Sequence, residues 1–120
     1  MNQEIIPILR IFNTDKAKEF YCEFLEWKID WNHVFGDNFP VYMQISNGSA
    51  VIHLSEHYGD ACPGSTIKIN VKNIEEMKSK LIKKGYKYSK PEIQIMPWNT
   101  KEMWITDPFG NKLMFYQNIE

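Results

Sequence analysis

Cysteine is scarce in this sequence: Cys22 and Cys62 are the two it holds, far apart and outside any Cys-x-x-Cys pattern. They read as free thiols of a reducing compartment, although sequence alone leaves a pairing open. No apolar run approaches the ~18 residues that a membrane span needs. Met1-Asn2-Gln3-Glu4 lacks the basic start and apolar stretch of a signal peptide, so a cytoplasmic location is expected. Charge of one sign is also missing, since 14 basic and 15 acidic residues leave a net charge of −1. Nucleic acid needs a basic stripe for its phosphates, so neither it nor an anionic membrane surface is an expected partner. No glycine loop cradles a phosphate, and Ser46, Ser49, Ser55 and Ser65 sit in no Gly-x-Ser-x-Gly elbow. No catalytic residue is assigned.

What is present suits a folded domain. The 120 residues are 43% hydrophobic and 24% charged, which excludes disorder and points to a single domain over 1–120. Aromatic residues make up 14%, four of them Trp, a type that is either buried or employed in gripping something.

The pattern is written twice. Ile5–Phe12 is a short apolar run that reads as a strand, with Pro7 near its start or at an edge. Asn13 or Thr14 then caps a helix whose Ala17, Phe20, Tyr21, Phe24 and Leu25 fall on one stripe. Cys22, beside Tyr21, reads as a partly buried small thiol. Strand-like pieces follow at Trp27–His33, Val41–Ser46 and Ala50–Ser55, with Asn47-Gly48 turning between the last two. Gly59, Pro63 and Gly64 interrupt, and the order restarts. Residues 65–72 alternate, Asn73 and Glu76 form a capping box, and Gly85 ends a second helix. Further strands are expected near Tyr86–Tyr88, Glu102–Thr106 and Lys112–Gln117. The result is an α+β chain of two βαβββ modules, residues 4–57 and 64–118. Each module has one helix for one sheet face, and a face left uncovered is solvated, packed on another sheet, or curved around a ligand.

Three motifs carry a family resemblance across essentially the whole chain. Asn13–Tyr21 with Leu25-Glu26-Trp27 looks like a family cap, helix and turn; Asn73-Ile74-Glu75-Glu76 matches the second helix start. Asp107-Pro108-Phe109-Gly110-Asn111-Lys112-Leu113 looks like the family's last hairpin and is the most specific of the three. In this order they resemble the vicinal-oxygen-chelate superfamily, which includes glyoxalase I, extradiol dioxygenases and the fosfomycin- and bleomycin-resistance proteins. Pro7-Ile8-Leu9-Arg10, Val51–His57 and Pro97-Trp98 are similar to the bleomycin-resistance branch that lacks a metal. The resemblance implies a curved mixed sheet with one helix per module, a homodimer, and a crevice for a small-molecule ligand.

It also allows a test for the metal. Family spacing places ligand positions at Ile6, Thr66 and Met114, none of which offers imidazole or carboxylate. The fourth position is Ile52 or His53. One histidine holds a divalent ion poorly, so neither metal nor other cofactor is expected. His53, Glu56 and His57 have zincin-like spacing only in a helix, whereas Ala50–Leu54 reads as strand. The plainer reading is of polar residues at a strand end, with His53 still able to face the cavity.

Counting by twos from the vacated positions gives the cavity-facing candidates. They are Ile6, Ile8 and Arg10; Thr66, Lys68 and Asn70; and Met114 and Tyr116, joined by Trp31, Phe35, Phe39, Tyr42, Trp98 and Trp104. The expected ligand-binding set is Arg10, Trp31, Phe35, Phe39, Tyr42, His53, Thr66, Lys68, Trp98, Trp104 and Met114. For each aromatic the competing reading is core or dimer packing, and Trp27 is expected in the core. Arg10, amid Ile8, Leu9 and Ile11, either pairs with Glu56 or Asp60 or meets an anionic group in the crevice.

Three functions follow. A metal-free protein would sequester an aromatic or amphiphilic compound, such as an antibiotic. A glyoxalase-like lyase or isomerase would act on a small carbonyl compound through His53, Glu56 or a metal held in some unfamiliar manner. An interaction module would use its aromatics only for packing. The near-neutral charge makes bleomycin itself a poor match, because the bleomycin-binding relatives look strongly acidic.

Overall fold

The computed structural model describes residues 3–34, 36–37, 39–86 and 90–120. The first module runs β1 (Ile8–Arg10), α1 (Thr14–Lys18), β2 (Lys28–Val34), β3 (Val41–Asn47) and β4 (Ala50–Ser55). The second repeats the order as β5 (Thr66–Asn70), α2 (Ile74–Lys84), β6 (Ile93–Met96), β7 (Thr100–Thr106) and β8 (Lys112–Asn118). The mixed sheet comes as two four-stranded halves, ordered β1-β4-β3-β2 and β5-β8-β7-β6. In each half the first strand lies parallel to the last and the remaining pairs are antiparallel.

Both helices start as their caps dictate. Asn13 Oδ1 accepts from Lys16 N at 2.9 Å, and Asn73 Oδ1 accepts from Glu76 N at 3.1 Å. Gly85 closes α2 at φ 66°, a conformation that costs a glycine little. After Lys18 the first helix widens into a π-helical segment, Glu19–Phe24, with Leu25 N bonded to Phe20 O at 3.0 Å. The apolar stripe read from sequence is all buried there: Ala17, Phe20, Tyr21, Phe24 and Leu25.

The strand expected near Tyr86–Tyr88 falls mostly outside the described residues. Tyr86 lies outside any strand, its ring stacked on Phe24 at 4.7 Å, while Lys87 and Tyr88 lie outside the described residues. The pairing strand is Ile93–Met96, which follows Pro91 and runs against Met103–Thr100 of β7. Packing against the first helix captures Tyr86, and the ladder forms only after the proline has passed.

The helix-facing side chains of both sheets form one hydrophobic cluster, with Leu9, Ile45, Ile52, Leu54, Met103, Ile105, Leu113 and Phe115 against Phe20, Tyr21, Ile74 and Leu81. Trp27 belongs to it, as expected. Asp107, from the motif read as most specific, ties the modules together. Its Oδ2 accepts the Tyr21 hydroxyl at 2.6 Å and Asn111 Nδ2 at 2.9 Å; its Oδ1 accepts the backbone N–H of Phe109 and Asn111. Asn111 Nδ2 also donates to Arg10 O at 2.8 Å. The hairpin motif is a structural knot between the two halves. With helices on one side only, the opposite, concave face of each sheet remains open.

Candidate functional site

In the first module alternation assigns the open face. Leu9, Met43, Ile45, Ile52 and Leu54 point to the core, so Ile8, Arg10, Tyr42, Gln44 and His53 point away from it. The choice between Ile52 and His53 is thereby settled: Ile52 is core, and His53 is the residue on the open face.

Trp31 reaches the same face through an irregularity. Ile29 pairs with Ile45, but the next partner, Gln44, faces Trp31 rather than Asp30. One extra residue in β2 makes a bulge that turns both Asp30 and Trp31 toward the open side. Asp30 then accepts from Gln44 Nε2 and Ser46 Oγ, each at 3.0 Å. These two hydrogen bonds, with Lys28 nearby, hold its carboxyl below the usual range. The bond to Asp30 fixes the Gln44 amide, whose Oε1 meets His53 Nε2 at 2.9 Å. A carbonyl only accepts, so Nε2 carries the proton, and Nδ1 takes the Tyr42 hydroxyl at 2.7 Å. Burial lowers the His53 pKa and keeps the ring neutral. It also raises that of Tyr42, with help from the nearby Asp60.

A wall of rings results. Trp31 stacks on Tyr42 at 6.0 Å and 16°, with His53 edge-on to Trp31 at 5.3 Å. Beside it a cavity of about 470 Å³ is lined by Trp31, His33, Tyr42, His57 and Asp60. Ser55 Oγ ties this rim, donating to Asp60 Oδ2 at 2.6 Å and accepting from His57 N at 3.0 Å. Phe39 is exposed and lies outside that lining, and Phe35 falls outside the described residues.

The expected acidic partner of Arg10 is corrected. Neither Glu56 nor Asp60 pairs with it; Glu56 Oε1 instead accepts Val41 N at 3.0 Å, and Asp60 is taken by Ser55. The guanidinium lies 4.7 Å over the Phe12 ring, and Nη1 is buried without a hydrogen-bond partner among the described residues. Short local contacts satisfy both acids before the arginine can reach them.

On the second module Thr66, Lys68 and Asn70 face outward from β5, while Ile67 and Ile69 pack inward. Register sets Met114 between Lys68 and Trp104, and Tyr116 between Asn70 and Glu102. Trp104 is 43% exposed, as is Trp31 on the first module, and Trp98 is 61% exposed. The structure thus groups Trp31, Tyr42 and His53 on one sheet, and Lys68, Trp98, Trp104 and Met114 on the other. Asp30, Gln44 and Glu102 were missed. Strand alternation from Trp104 would have found Glu102, but nothing in the sequence announces the bulge that positions Asp30. A separate cavity of about 550 Å³, between the β3–β4 turn and α2, includes Trp27, Met77 and Phe115, and of the cavity-facing candidates it takes Asn70, which lies outside the expected ligand-binding set.

The metal positions of the superfamily do not fit an ion here. Ile6, Thr66 and Met114 bring no strong ligand, and both ring nitrogens of His53 are occupied by Gln44 and Tyr42. Among the described residues no three His, Cys, Asp or Glu side chains converge as a metal site.

Comparison with known families places this geometry. Residues 1–120, the full length, match the family described as glyoxalase superfamily protein. The chain belongs to the glyoxalase superfamily. No curated protein matches it. Among solved structures, this superfamily member is similar to a bleomycin resistance determinant encoded on the transposon Tn5, with a TM-score of 0.75 at 17% identity, covering 98% of each chain. A bleomycin-binding protein complexed with bleomycin gives 0.72 at 21% identity, covering 98% of this chain and 99% of the other. The antibiotic binding protein TnmS3 from Streptomyces sp. CB03234 gives 0.74 at 17% identity, covering 98% and 97%. These likenesses establish the fold.

Proposed function

We propose that the chain is a metal-free binding protein of the bleomycin-resistance type, which sequesters an aromatic or amphiphilic small molecule against its concave sheet faces. The observation that carries the reading is the closed chain Asp30–Gln44–His53–Tyr42. It spends both nitrogens of the one imidazole at a metal position on orienting an aromatic wall. The same hydrogen bonds leave His53 no free lone pair to act as a base, and one oxygen of Glu56 is committed to the Val41 backbone. A lyase reading that runs through His53 is thereby disfavoured. Structural neighbours that bind bleomycin and other antibiotics support a ligand of comparable, drug-like kind.

A homodimer completes the proposal. The Cα radius of gyration is 15.0 Å, against about 13–14 Å for a compact chain of this length, and the narrowest dimension is 23 Å. Trp31, Trp98 and Trp104 stand exposed on a plate of that shape, a cost that a second copy would relieve. No described helix is long and apolar enough to cross a membrane. Cytoplasmic residence remains part of the proposal.

The test has two arms. Elemental analysis of protein purified without chelator should find no stoichiometric divalent metal, and dansylamide should quench Trp emission by energy transfer with saturation. A full equivalent of bound metal would sink the reading.

A further inference from the structure

The second module carries a charged group that an aromatic wall does not need. Thr100, Glu102 and Trp104 alternate along β7 with Met103 and Ile105, which are core, so Glu102 belongs to the concave side. Its side chain is nevertheless only 1% exposed. A buried carboxylate is costly unless opposite charge and hydrogen bonds compensate it. Here the compensation falls on one oxygen. Oε2 accepts from Trp98 Nε1 and Thr100 Oγ1, each at 3.2 Å, and lies 3.9 Å from Lys68 Nζ. Oε1 is buried and has no hydrogen-bond partner among the described residues.

Lys68 shows what this place accepts. Its ammonium sits 4.8 Å above the Tyr116 ring as well as 3.9 Å from the carboxylate. An aromatic face beside an acid is an arrangement that selects ammonium groups. At 3.9 Å, however, the lysine supplies charge without a hydrogen bond. Its half-exposed side chain crosses from edge strand β5 over β8 and Met114 to reach β7. An untethered amine is under no such constraint.

We propose that Glu102, Tyr116 and Trp98 form a subsite for a protonated amine, which the Lys68 ammonium occupies until a ligand amine displaces it. The inference rests on the binding reading and narrows it: the ligand is an aromatic amine. The competing account is a purely structural ion pair. Removing Lys68 separates the two, because a structural pair gains nothing from the loss, whereas a competed subsite becomes free.

The experiment uses the whole chain and three probes that share one fluorophore. Dansylamide is uncharged, dansylcadaverine carries a primary ammonium on a flexible tail, and dansylglycine carries a carboxylate. The wild-type protein should bind dansylcadaverine about tenfold more tightly than dansylamide, with dansylglycine no better than dansylamide. Glu102→Gln should erase that preference, bringing dansylcadaverine and dansylamide to the same affinity. Lys68→Met should tighten dansylcadaverine several-fold relative to dansylamide. The indole N–H resonance of Trp98, assigned through Trp98→Phe, should shift with dansylcadaverine and not with dansylamide. Equal binding of dansylamide and dansylcadaverine, in wild type and Lys68→Met alike, overturns the amine subsite and leaves the binding reading standing. Failure of all three probes to bind overturns both. If Glu102→Gln does not fold, the wild-type preference, Lys68→Met and the Trp98 resonance still decide.

Discussion

Tyr21 of the first module donates its buried hydroxyl to Asp107 of the second at 2.6 Å. Burial first, and the neighbouring carboxylate second, push the phenol well above its ordinary pKa, so it remains a donor throughout the working range. Tyr21→Phe removes one charge-assisted hydrogen bond with little change in volume. Urea unfolding should show a loss of about 2 kcal/mol. A loss below about 0.5 kcal/mol would mean that the hairpin is held by its remaining bonds alone.

Acid should loosen the aromatic wall. His53 lies below its ordinary value of 6.5 because burial disfavours the imidazolium. The unfolded chain therefore takes up a proton before the folded one does. The stability it contributes is full above 6.5 and is lost as pH falls from there through the folded value. His53→Gln should flatten that part of the stability profile. An NMR titration placing the His53 midpoint above 6.5 would contradict the described tautomer and its partners.

Arg10 should be dispensable for folding. Its Nη1 is buried without a hydrogen-bond partner among the described residues, and its guanidinium lies over the Phe12 ring. Arg10→Met keeps the apolar stem and removes the unmet donor. The expected change is a stabilisation of up to about 1 kcal/mol. A clear destabilisation by thermal melting would reveal a pairing that the structure does not contain.

Trp31→Ala should strip the wall of its largest ring. Trp31 is 43% exposed and opposes Gln44 on the open face, so its loss leaves the core and the pairing of β2 with β3 in place. The fold should survive, while the affinity for dansylamide, read from energy transfer out of the remaining Trp residues, should fall several-fold. Unchanged affinity would remove Trp31 from the binding wall.

The residues that sequence reading placed well are those governed by local rules. Alternation put Arg10, Lys68 and Met114 on the open faces, and caps located both helices. What escaped depends on long-range geometry. The bulge at Asp30 arises from pairing between strands, and no residue in β2 signals it. The sixth strand lies at Ile93–Met96, while Tyr86 packs on Phe20 and Phe24, aromatic partners from the other module. The acids assigned to Arg10 went to nearer donors. Asp107-Pro108-Phe109-Gly110-Asn111 was legible as a motif, but its role as a clasp appears only when Tyr21 and Arg10 are seen beside it.

That clasp bears on whether either half could stand alone. Each half now finishes the other's hydrogen bonding: Asn111 satisfies a carbonyl of β1, and Asp107 anchors a phenol from the first helix. A free-standing half would bare these groups along with half of the shared apolar layer. The two halves are obligate companions, since each covers and bonds what the other would leave open.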